Sequence, residues 1–348
     1  MPYMKILHIL NTNRFSGAEN VVCQIIDLFS SDGKYEMLYC SPKGDIENSL
    51  KEHGVKYIGI DSLTCKEIKR VLKEQKPDVI HAHDMRASFI SSCVCGKIPL
   101  ISHIHNNAYD SRAISFKSIA YLKAATKARH IFWVSQSAFE GYAFHKLFVK
   151  KSSVLYNTIN IKRLLEKAES DKNQYNYDVV FLGRLTYPKN PHKLINVCSN
   201  LIAMKSDVRV AVIGTGNMEQ EIVELVAQKG LSENITFLGF QNNPYKIVKD
   251  AKCMVMTSRW EGTPMCALEG MALGVPMVAT PVDGLKKLIV NGENGFLCED
   301  DLIFAQRVFD IVTNRDLYKR LSREQIIKSK QLNDLKKYKE MINVRYEY

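Results

Sequence analysis

Apolar and polar residues alternate along this chain with two different periods. Short runs rich in valine and isoleucine are typical of buried strands, and between them apolar residues recur every three or four positions, as in helices. This alternation favours parallel sheets that carry helices on both faces. Strands are predicted near residues 4–10, 36–40, 56–60, 78–82, 99–104, 130–134 and 153–156 in the first half, and near 178–182, 208–213, 235–238, 252–256 and 276–280 in the second.

A polar segment, Ser170–Tyr177, separates the two series of strands and is predicted to be a linker. The length of 348 residues also exceeds that of a typical single domain. We therefore predict two doubly wound, Rossmann-like α/β domains, over residues 1–170 and 178–315, that face a central cleft. Residues 316–348 are charged and helical in pattern, and their last helix could cross back to the first domain.

The formal net charge of +11 is unevenly distributed, because residues 1–175 carry 25 basic and 17 acidic side chains. An anionic partner should therefore meet this half first. Nucleic acid is not expected, since the sequence has no zinc finger, ribonucleoprotein motif or basic helix-turn-helix, which leaves an anionic membrane surface. No apolar stretch approaches the length of about 18 residues that a transmembrane helix needs, and the start lacks the apolar core of a signal peptide. A cytoplasmic protein is predicted.

The nine cysteines are scattered, and Cys93 and Cys95 form a C-x-C pair instead of the C-x-x-C pairs of zinc and redox sites. We expect them to be small buried apolar residues.

The most informative stretch is Thr257–Asp283, which follows a predicted buried strand. A loop with Glu261 leads to a helix over Pro264–Leu273, where Thr263 could cap the first turn and Pro264 suits the first helical position. Glu269 lies about 8 Å along that helix, among apolar residues, where a carboxylate needs a partner. Two carboxylates and free helix amides suit a ligand with hydroxyl groups at both ends and negative charge between them. The alternative is that both glutamates are ordinary solvated residues.

Other loops also follow strands, and ligands bind at the carboxyl ends of parallel strands. Arg184 and Lys189 follow the strand near 178–182 and could hold phosphate oxygens, although exposed cations are usually only solvated. Gly17 begins a predicted helix and would let a phosphate approach its amides. Weaker signals are the Gly-x-Gly turn in Val212–Gly216 and the stretch Leu238–Phe240, whose backbone could contact a base.

Two His-x-His pairs end neighbouring predicted strands, His81 with His83 and His103 with His105. Alternate residues of a strand share a face, so His83 and His105 could both point towards a ligand. A metal site would need a third well-spaced ligand, and the pattern supplies none. Contacts to substrate hydroxyl groups are favoured, and a structural role for these histidines stays open.

Taken together, these motifs resemble glycosyltransferase family 4, the retaining enzymes of the GT-B fold, and in particular its bacterial capsule and exopolysaccharide members. The resemblance covers nearly the whole chain and is most specific between residues 178 and 300. It rests on these segments: Ser16–Glu19, His103–Asn106, Gly183–Lys189, Val212–Gly216, Phe237–Phe240, Trp260–Thr280 and Asn291–Leu297. The departures are Ser16, where glycine is commoner, and Asn190, where glycine is frequent.

This resemblance implies that a sugar is transferred from a nucleotide-sugar to a lipid-linked saccharide acceptor. The donor that it favours is a uridine diphosphate sugar. It implies an N-terminal acceptor-binding domain and a C-terminal nucleotide-sugar-binding domain. By the same resemblance, Arg184 and Lys189 hold the diphosphate and Glu269 holds the ribose. Glu261 and the amides near Gly262, Thr263, Pro264 and Met265 hold the sugar, Gly183 and Phe240 complete the donor site, and Gly17 and His105 approach from the first domain. No metal or other cofactor is expected. A nucleotide-sugar epimerase and a non-catalytic binding subunit remain as alternatives.

A basic helix predicted over Phe116–Arg129 raises the possibility of docking on the inner face of the membrane. Ile119, Tyr121 and Leu122 fall near one side of it, and Lys117, Lys123, Lys127 and Arg129 are spread around it; Phe144, Leu147 and Phe148 beside Lys146, Lys150 and Lys151 could add a second patch. Such helices lie in a membrane interface. The alternative is that the apolar side packs against the core and the lysines are merely solvated.

Overall fold

The computed structural model describes residues 3–105 and 111–347 and divides into two compact units. Unit 1 comprises Met1–Asn157 and Leu335–Tyr348, and unit 2 comprises Thr158–Asp334. Each unit is a parallel sheet flanked by helices, which confirms the predicted α/β class.

The sheet of unit 1 has seven strands in the order β3-β2-β1-β4-β5-β6-β7. These are β1 Met4–Ile9, β2 Tyr35–Pro42, β3 Tyr57–Ile60, β4 Val79–Ala82, β5 Leu100–Ile104, β6 His130–Trp133 and β7 Ser152–Val154. The helices of this unit are α1 Gly17–Ser30, α2 Ile46–Glu52, α3 Cys65–Gln75, α4 Met85–Val94, α5 Phe116–Lys127, α6 Gln136–Glu140 and the C-terminal α15 Leu335–Glu347, with a 3₁₀ helix at His145–Lys151. The strand order reverses between β1 and β4, which makes their carboxyl ends the expected ligand position.

The sheet of unit 2 has six strands in the order β10-β9-β8-β11-β12-β13. These are β8 Val179–Leu182, β9 Val210–Ile213, β10 Ile235–Gly239, β11 Cys253–Met256, β12 Met277–Ala279 and β13 Gly295–Leu297. Its helices are α7 Ile161–Ser170, α8 Pro191–Met204, α9 Glu219–Gln228, α10 Tyr245–Asp250, α11 Met265–Ala272, α12 Asp283–Lys286, α13 Asp301–Thr313 and α14 Arg315–Leu332, with a 3₁₀ helix at Tyr187–Lys189. Here the order reverses between β8 and β11.

All twelve predicted strands are present, and β13 is the strand that the pattern did not predict. It has three residues, and Gly295 lies against β12 so closely that a Cβ atom there would be 2.5 Å from the carbonyl oxygen of Met277. Such a short strand leaves too little periodicity to be recognised.

The division into units differs from the predicted domain ranges at two helices. Helix α7 lies in unit 2, where the Asn243 side chain donates a 2.9 Å hydrogen bond to the carbonyl oxygen of Lys167. Helix α15 lies in unit 1, where Lys339 pairs with Asp32 and Tyr35 donates a 2.7 Å hydrogen bond to Asn343. The C-terminal segment is therefore split, with α14 in unit 2 and α15 in unit 1.

The prediction that all nine cysteines are buried is wrong for Cys65 and Cys93, which are exposed. Cys65 is the first residue of α3, and Cys93 lies in the last turn of α4. Among the described residues, no helix combines the length and the apolar character needed to cross a membrane.

Candidate functional site

The candidate donor site of unit 2 is built at the carboxyl ends of β8 and β11. Arg184 follows β8, and its side chain is exposed. The 3₁₀ helix comes next, and its last residue, Lys189, lies at the same edge. Within residues 3–105 and 111–347, no acceptor group bonds to the Arg184 guanidinium. The two cations are close enough for Arg184 to oppose the protonation of Lys189. This edge of the sheet therefore carries two neighbouring cations.

The Lys189 ammonium pairs with the carboxylate of Glu261, and both side chains are largely buried, at 17 % and 11 % exposed. Ser258 donates a 2.6 Å hydrogen bond to the same oxygen of Glu261. Burial acts to lower the pKa of Lys189, but the neighbouring Glu261 carboxylate outweighs it and the pKa is raised. The lysine is therefore charged at neutral pH.

The segment that carries Lys189 is held by the end of β11. The hydroxyl of Thr257 donates to the carbonyl oxygens of Lys189 and Asn190, at 3.0 and 3.1 Å. Arg259 donates to the Asn190 side chain at 2.9 Å, and its guanidinium lies 4.4 Å from the ring centre of Tyr187. Asn190 has a φ of 51°, in the left-handed region that glycine and asparagine tolerate best. This explains how asparagine can replace the glycine that is frequent there in the family.

Helix α11 begins one residue later than predicted, so Thr263 is not its N-cap. Pro264 occupies the N-cap position and makes no side-chain cap hydrogen bond. Thr263 is buried, next to a Gly262 whose carbonyl oxygen lies against Gly284 of α12. The N-cap residue thus leaves the first amides of α11 uncapped, as a site for negatively charged oxygens requires.

Glu269 is buried in α11, at 6 % exposed, and its carboxylate accepts a 3.3 Å hydrogen bond from the hydroxyl of Tyr245. The partner that a buried acid needs is therefore present. Cys266 is close enough to interact with this carboxylate and with the Lys189–Glu261 pair, and burial raises the pKa of its thiol to about 12. The thiol is neutral, so it adds no charge to the site.

Three glycines bring the loops of the site into close backbone contact. A Cβ atom on Gly214 would lie 2.2 Å from the carbonyl oxygen of Gly183, and one on Gly216 would lie 2.0 Å from that of Leu185. A Cβ atom on Gly284 would lie 1.8 Å from the carbonyl oxygen of Gly262. The importance of Gly284 was not predicted, since it depends on a loop more than 20 residues away in the chain.

The remaining predicted residues of unit 2 lie around this edge. Phe240 follows β10 and is 48 % exposed, whereas Met265 is buried at the start of α11. The carbonyl oxygen of Leu238 already accepts a 2.6 Å hydrogen bond from Gln241. Phe240 is thus available for stacking on a planar ring, and the Leu238 carbonyl is already engaged.

In unit 1, Gly17 begins α1 as predicted, next to an extended Ser16 whose side chain does not cap the helix. The Ser16 hydroxyl donates a 2.5 Å hydrogen bond to the buried carboxylate of Glu19. The helix start therefore presents amides without a side-chain cap, and an acidic side chain in the first turn.

His105 and His83 are brought together, with Nε2 of His105 2.9 Å from Nδ1 of His83. Nε2 of His83 is in turn 2.9 Å from Nδ1 of His8. Burial lowers the pKa of His105 to about 3, so its imidazole is neutral. The sequence did not predict His8, although its place on β1, facing the same side as His83, was a usable signal. Asn106, in the motif with His105, lies outside the described residues.

The predicted apolar side of helix α5 is partly wrong. Tyr121 is 1 % exposed and Leu122 packs against the core of unit 1, so both face inwards. Phe116 and Ile119 are instead 88 % and 53 % exposed. Helical periodicity predicts an apolar side of α5, but it does not show which part of that side packs against the sheet.

Comparison with known proteins identifies the family of this chain. Residues 162–328 match the family Glycosyl transferases group 1, and residues 15–163 match Glycosyltransferase Family 4. The O-antigen biosynthesis glycosyltransferase WbnH of Escherichia coli is 26% identical over 319 residues, 88% of this chain and 90% of that protein.

A second relative is N-acetylgalactosamine-N,N'-diacetylbacillosaminyl-diphospho-undecaprenol 4-alpha-N-acetylgalactosaminyltransferase of Campylobacter jejuni, 31% identical over 153 residues, 44% of this chain and 41% of that protein. For three of the curated relatives, the match spans only 41% to 63% of their length.

Among solved structures, Anabaena Alr3699/HepE in complex with UDP-glucose superimposes with a TM-score of 0.83 at 20% identity, over 98% of both chains. Such a likeness establishes the fold, and the two family matches together span residues 15–328. The chain belongs to glycosyltransferase family 4, with the GT-B fold.

Proposed function

We propose that this protein is a retaining glycosyltransferase that moves a sugar from a nucleotide-sugar to a saccharide acceptor in the biosynthesis of a bacterial surface polysaccharide. The observation that carries the proposal is the convergence of Arg184, the Lys189–Glu261 pair and the start of α11 at one edge of the unit 2 sheet. This edge combines positive charge with carboxylates, which matches a diphosphate flanked by two sugars.

The cations of this edge would stabilise the leaving diphosphate. Arg184 offers a planar fork of donors that no described acceptor occupies, and Lys189 supplies a buried charge. Amides at the start of α11 add donors that need no reorganisation during the reaction. The proposed transfer therefore does not need a divalent metal ion at the diphosphate.

The two glutamates would bind hydroxyl groups at opposite ends of the donor. Glu269, buried and already hydrogen-bonded to Tyr245, is assigned to the ribose. Glu261, with the amides from Gly262 to Met265, is assigned to the transferred sugar. Because Glu261 also pairs with Lys189, sugar and diphosphate binding would be coupled through one carboxylate.

Retention would follow from attack on the same face of the sugar that the diphosphate leaves. The acceptor oxygen bonds to the anomeric carbon, the bond from that carbon to the diphosphate breaks, and the proton of the acceptor hydroxyl passes to the diphosphate. No side chain of the protein acts as the nucleophile. Gly17 and the neutral His105 of unit 1 are assigned to the phosphate and to the reacting sugar, as the family resemblance implies.

The proposed donor is a uridine diphosphate sugar and the proposed acceptor is lipid-linked. Alr3699/HepE, which binds UDP-glucose, supports the first assignment through its common fold. The name of the Campylobacter jejuni relative, which includes a diphospho-undecaprenol acceptor, supports the second.

Unit 1 has an exposed surface that suits an anionic membrane, and we include this docking in the proposal. Its apolar residues are Ile114, Phe116, Ile119, Leu147 and Val149, between 53 % and 88 % exposed, and its exposed cations are Lys117, Lys146 and Lys150. We call this set the apolar–basic patch. Hydrogen bonds from the Lys151 ammonium to the carbonyl oxygens of Thr126 and Ala128, both 2.8 Å, hold its two segments side by side.

An anionic bilayer is the occupant that this charge and exposure favour, because cations near such a surface contribute about 1 kcal/mol each. Sedimentation with vesicles that contain anionic lipid tests it. Binding should fall with salt and fall at least several-fold in the triple variant Lys117→Glu, Lys146→Glu, Lys150→Glu. The same changes at Lys66, Lys69 and Lys73, exposed on α3 of the same unit, serve as a charge-matched control. Wild-type protein that stays in the supernatant at low salt would overturn the docking.

The transfer itself is tested by incubating the protein with radiolabelled nucleotide-sugars and a lipid extract that contains polyprenyl-diphosphate saccharides. We expect label to move into the lipid fraction, with the anomeric configuration of the donor kept. Isomerisation of the donor without an acceptor would indicate an epimerase, and binding without turnover would indicate a non-catalytic subunit.

A further inference from the structure

Five histidines from three neighbouring strands of unit 1 gather on one side of the sheet. They are His8 after the middle of β1, His81 and His83 at the end of β4, and His103 and His105 at the end of β5. The rings of His81 and His83 are 4.1 Å apart at their centres, and that of His8 lies 5.2 and 5.1 Å from them. Neutral imidazoles in such a group offer many lone pairs and few apolar contacts.

Several ring nitrogens of this group have no hydrogen-bond partner. Within the part of the chain that the structure describes, these are Nε2 of His8, Nε2 of His81, both ring nitrogens of His103 and Nδ1 of His105. His8 and His81 are 0 % exposed and His83 is 1 % exposed. A buried polar atom without a partner costs about 1–3 kcal/mol, so several unpartnered nitrogens within one group indicate a missing ligand.

We infer that His8, His81 and His83 form a binding site for a divalent transition-metal cation of the zinc, nickel or copper class. One nitrogen from each of the three lies within 4.8 Å of the other two. A single ion would bind all three by replacing the His8–His83 hydrogen bond, since the other nitrogen of His83 is bonded to His105. Imidazole is the preferred ligand of these cations, and three histidines with one open position form a known zinc arrangement. Burial keeps the three rings neutral, which is the form that binds metal.

The orientation of His81 supports this assignment. Its Nδ1 lies 2.8 Å from the hydroxyl oxygen of Tyr346, a fully buried residue of α15. In the tautomer whose Nδ1–H donates to the Tyr346 oxygen, Nε2 carries the lone pair that a metal needs, as the outer contacts of metal-binding histidines usually provide. The site would therefore link the sheet to the C-terminal helix and stabilise its docking.

A second group, His83, His103 and His105, satisfies the same distance criterion. It shares His83 with the first group, so the two groups cannot each hold an ion at the same time. We assign the ion to the first group because all three of its residues are buried, whereas His105 is partly exposed. The site contains no carboxylate, so it would not favour magnesium or manganese. It lies in unit 1, whereas the donor site lies in unit 2, and His83 connects it to His105 through a 2.9 Å hydrogen bond.

The test uses the full chain without an affinity tag. The protein is incubated with Zn²⁺, or with Co²⁺ as a coloured substitute, then desalted and analysed for bound metal. We expect close to one equivalent of zinc per chain, a visible Co²⁺ absorption band typical of low coordination, and a higher melting temperature with zinc. If the wild-type protein retains less than about a tenth of an equivalent of zinc after desalting, the proposed site is wrong. This result does not depend on any variant folding correctly.

Two variants then locate the ion. His8→Leu should lower zinc occupancy at least tenfold and remove the Co²⁺ band, whereas His103→Asn, a change at an equally buried neighbour, should leave both in place. The far-ultraviolet circular dichroism of each variant checks that it folds. Loss of metal from His103→Asn together with its retention in His8→Leu would assign the ion to the second group and contradict the proposal.

Discussion

Lys189 and Glu261 form a largely buried ion pair, although they lie on loops that follow two different strands of unit 2. Each side chain offsets the cost of burying the other. This pair keeps the lysine charged and positioned beside Arg184. We therefore expect a diphosphate that binds here to meet cations that are already ordered, with no metal ion needed to recruit them.

The first prediction concerns the stability of this pair. Lys189→Met should lower the free energy of unfolding by about 3 kcal/mol, because it leaves the Glu261 carboxylate buried without its cation. The double variant Lys189→Met, Glu261→Leu should regain most of that loss and still lack activity. Urea unfolding measures both. Equal stability of the single variant and the wild type would show that the pair is solvated and not buried.

The two glutamates should fail differently. Glu269→Ala should raise the dissociation constant for the nucleotide about 10- to 100-fold, since a hydrogen bond to a charged group contributes about 1.5–3 kcal/mol. Glu261→Ala should chiefly lower kcat, because its proposed contacts are to the transferred sugar. Calorimetry with UDP and steady-state kinetics separate the two effects. Negligible effects from both changes would refute the assignment of this site.

Much of this site could be predicted from residue order alone. Arg184, Lys189, Glu261 and Glu269 each stand directly after a strand or within a helix that the local pattern identifies, and parallel topology brings such loops to one edge. The strands themselves could also be predicted, because their apolar runs are long enough to be recognised.

What could not be predicted depends on contacts between distant segments. The N-cap of α11 is Pro264 and not Thr263, in a loop whose Gly262 packs against Gly284, 22 residues further along the chain. The place of α15 depends on Tyr346 reaching His81, a contact across most of the chain. No periodicity within a segment carries such information.

The transfer reaction should not depend on divalent hard cations. Excess chelator should leave the rate nearly unchanged on the timescale of an assay, because Arg184 and Lys189 supply the charge that a magnesium ion supplies in other enzymes. Loss of activity that Mg²⁺ or Mn²⁺ restores would contradict this. Rescue by zinc alone would report on the histidine site of unit 1 instead, since imidazoles favour that class of ion.

Acid should destabilise unit 1 through His130. Burial, with the nearby charges of Arg345 and Arg129, lowers the pKa of His130 to about 4, whereas an unfolded histidine titrates near 6.5. The unfolded chain therefore binds the extra proton first, and the stability present above pH 6.5 is lost as the pH falls from 6.5 towards 4. Between pH 6.5 and 5 the wild type should lose about 1.5 kcal/mol more than His130→Gln. An exposed histidine of unit 2, changed as His192→Gln, is the control, and identical pH profiles for His130→Gln and wild type would contradict the assignment.

The central claim, that Arg184 and Lys189 hold the diphosphate of a nucleotide-sugar, is tested most directly by comparing the binding of UDP and uridine by calorimetry. The wild type should bind UDP at least about 100-fold more tightly than uridine, since charge-assisted hydrogen bonds to the diphosphate contribute several kcal/mol. Arg184→Gln should remove most of that difference by weakening UDP binding and leaving uridine binding unchanged. A variant that binds UDP as tightly as the wild type would contradict the account.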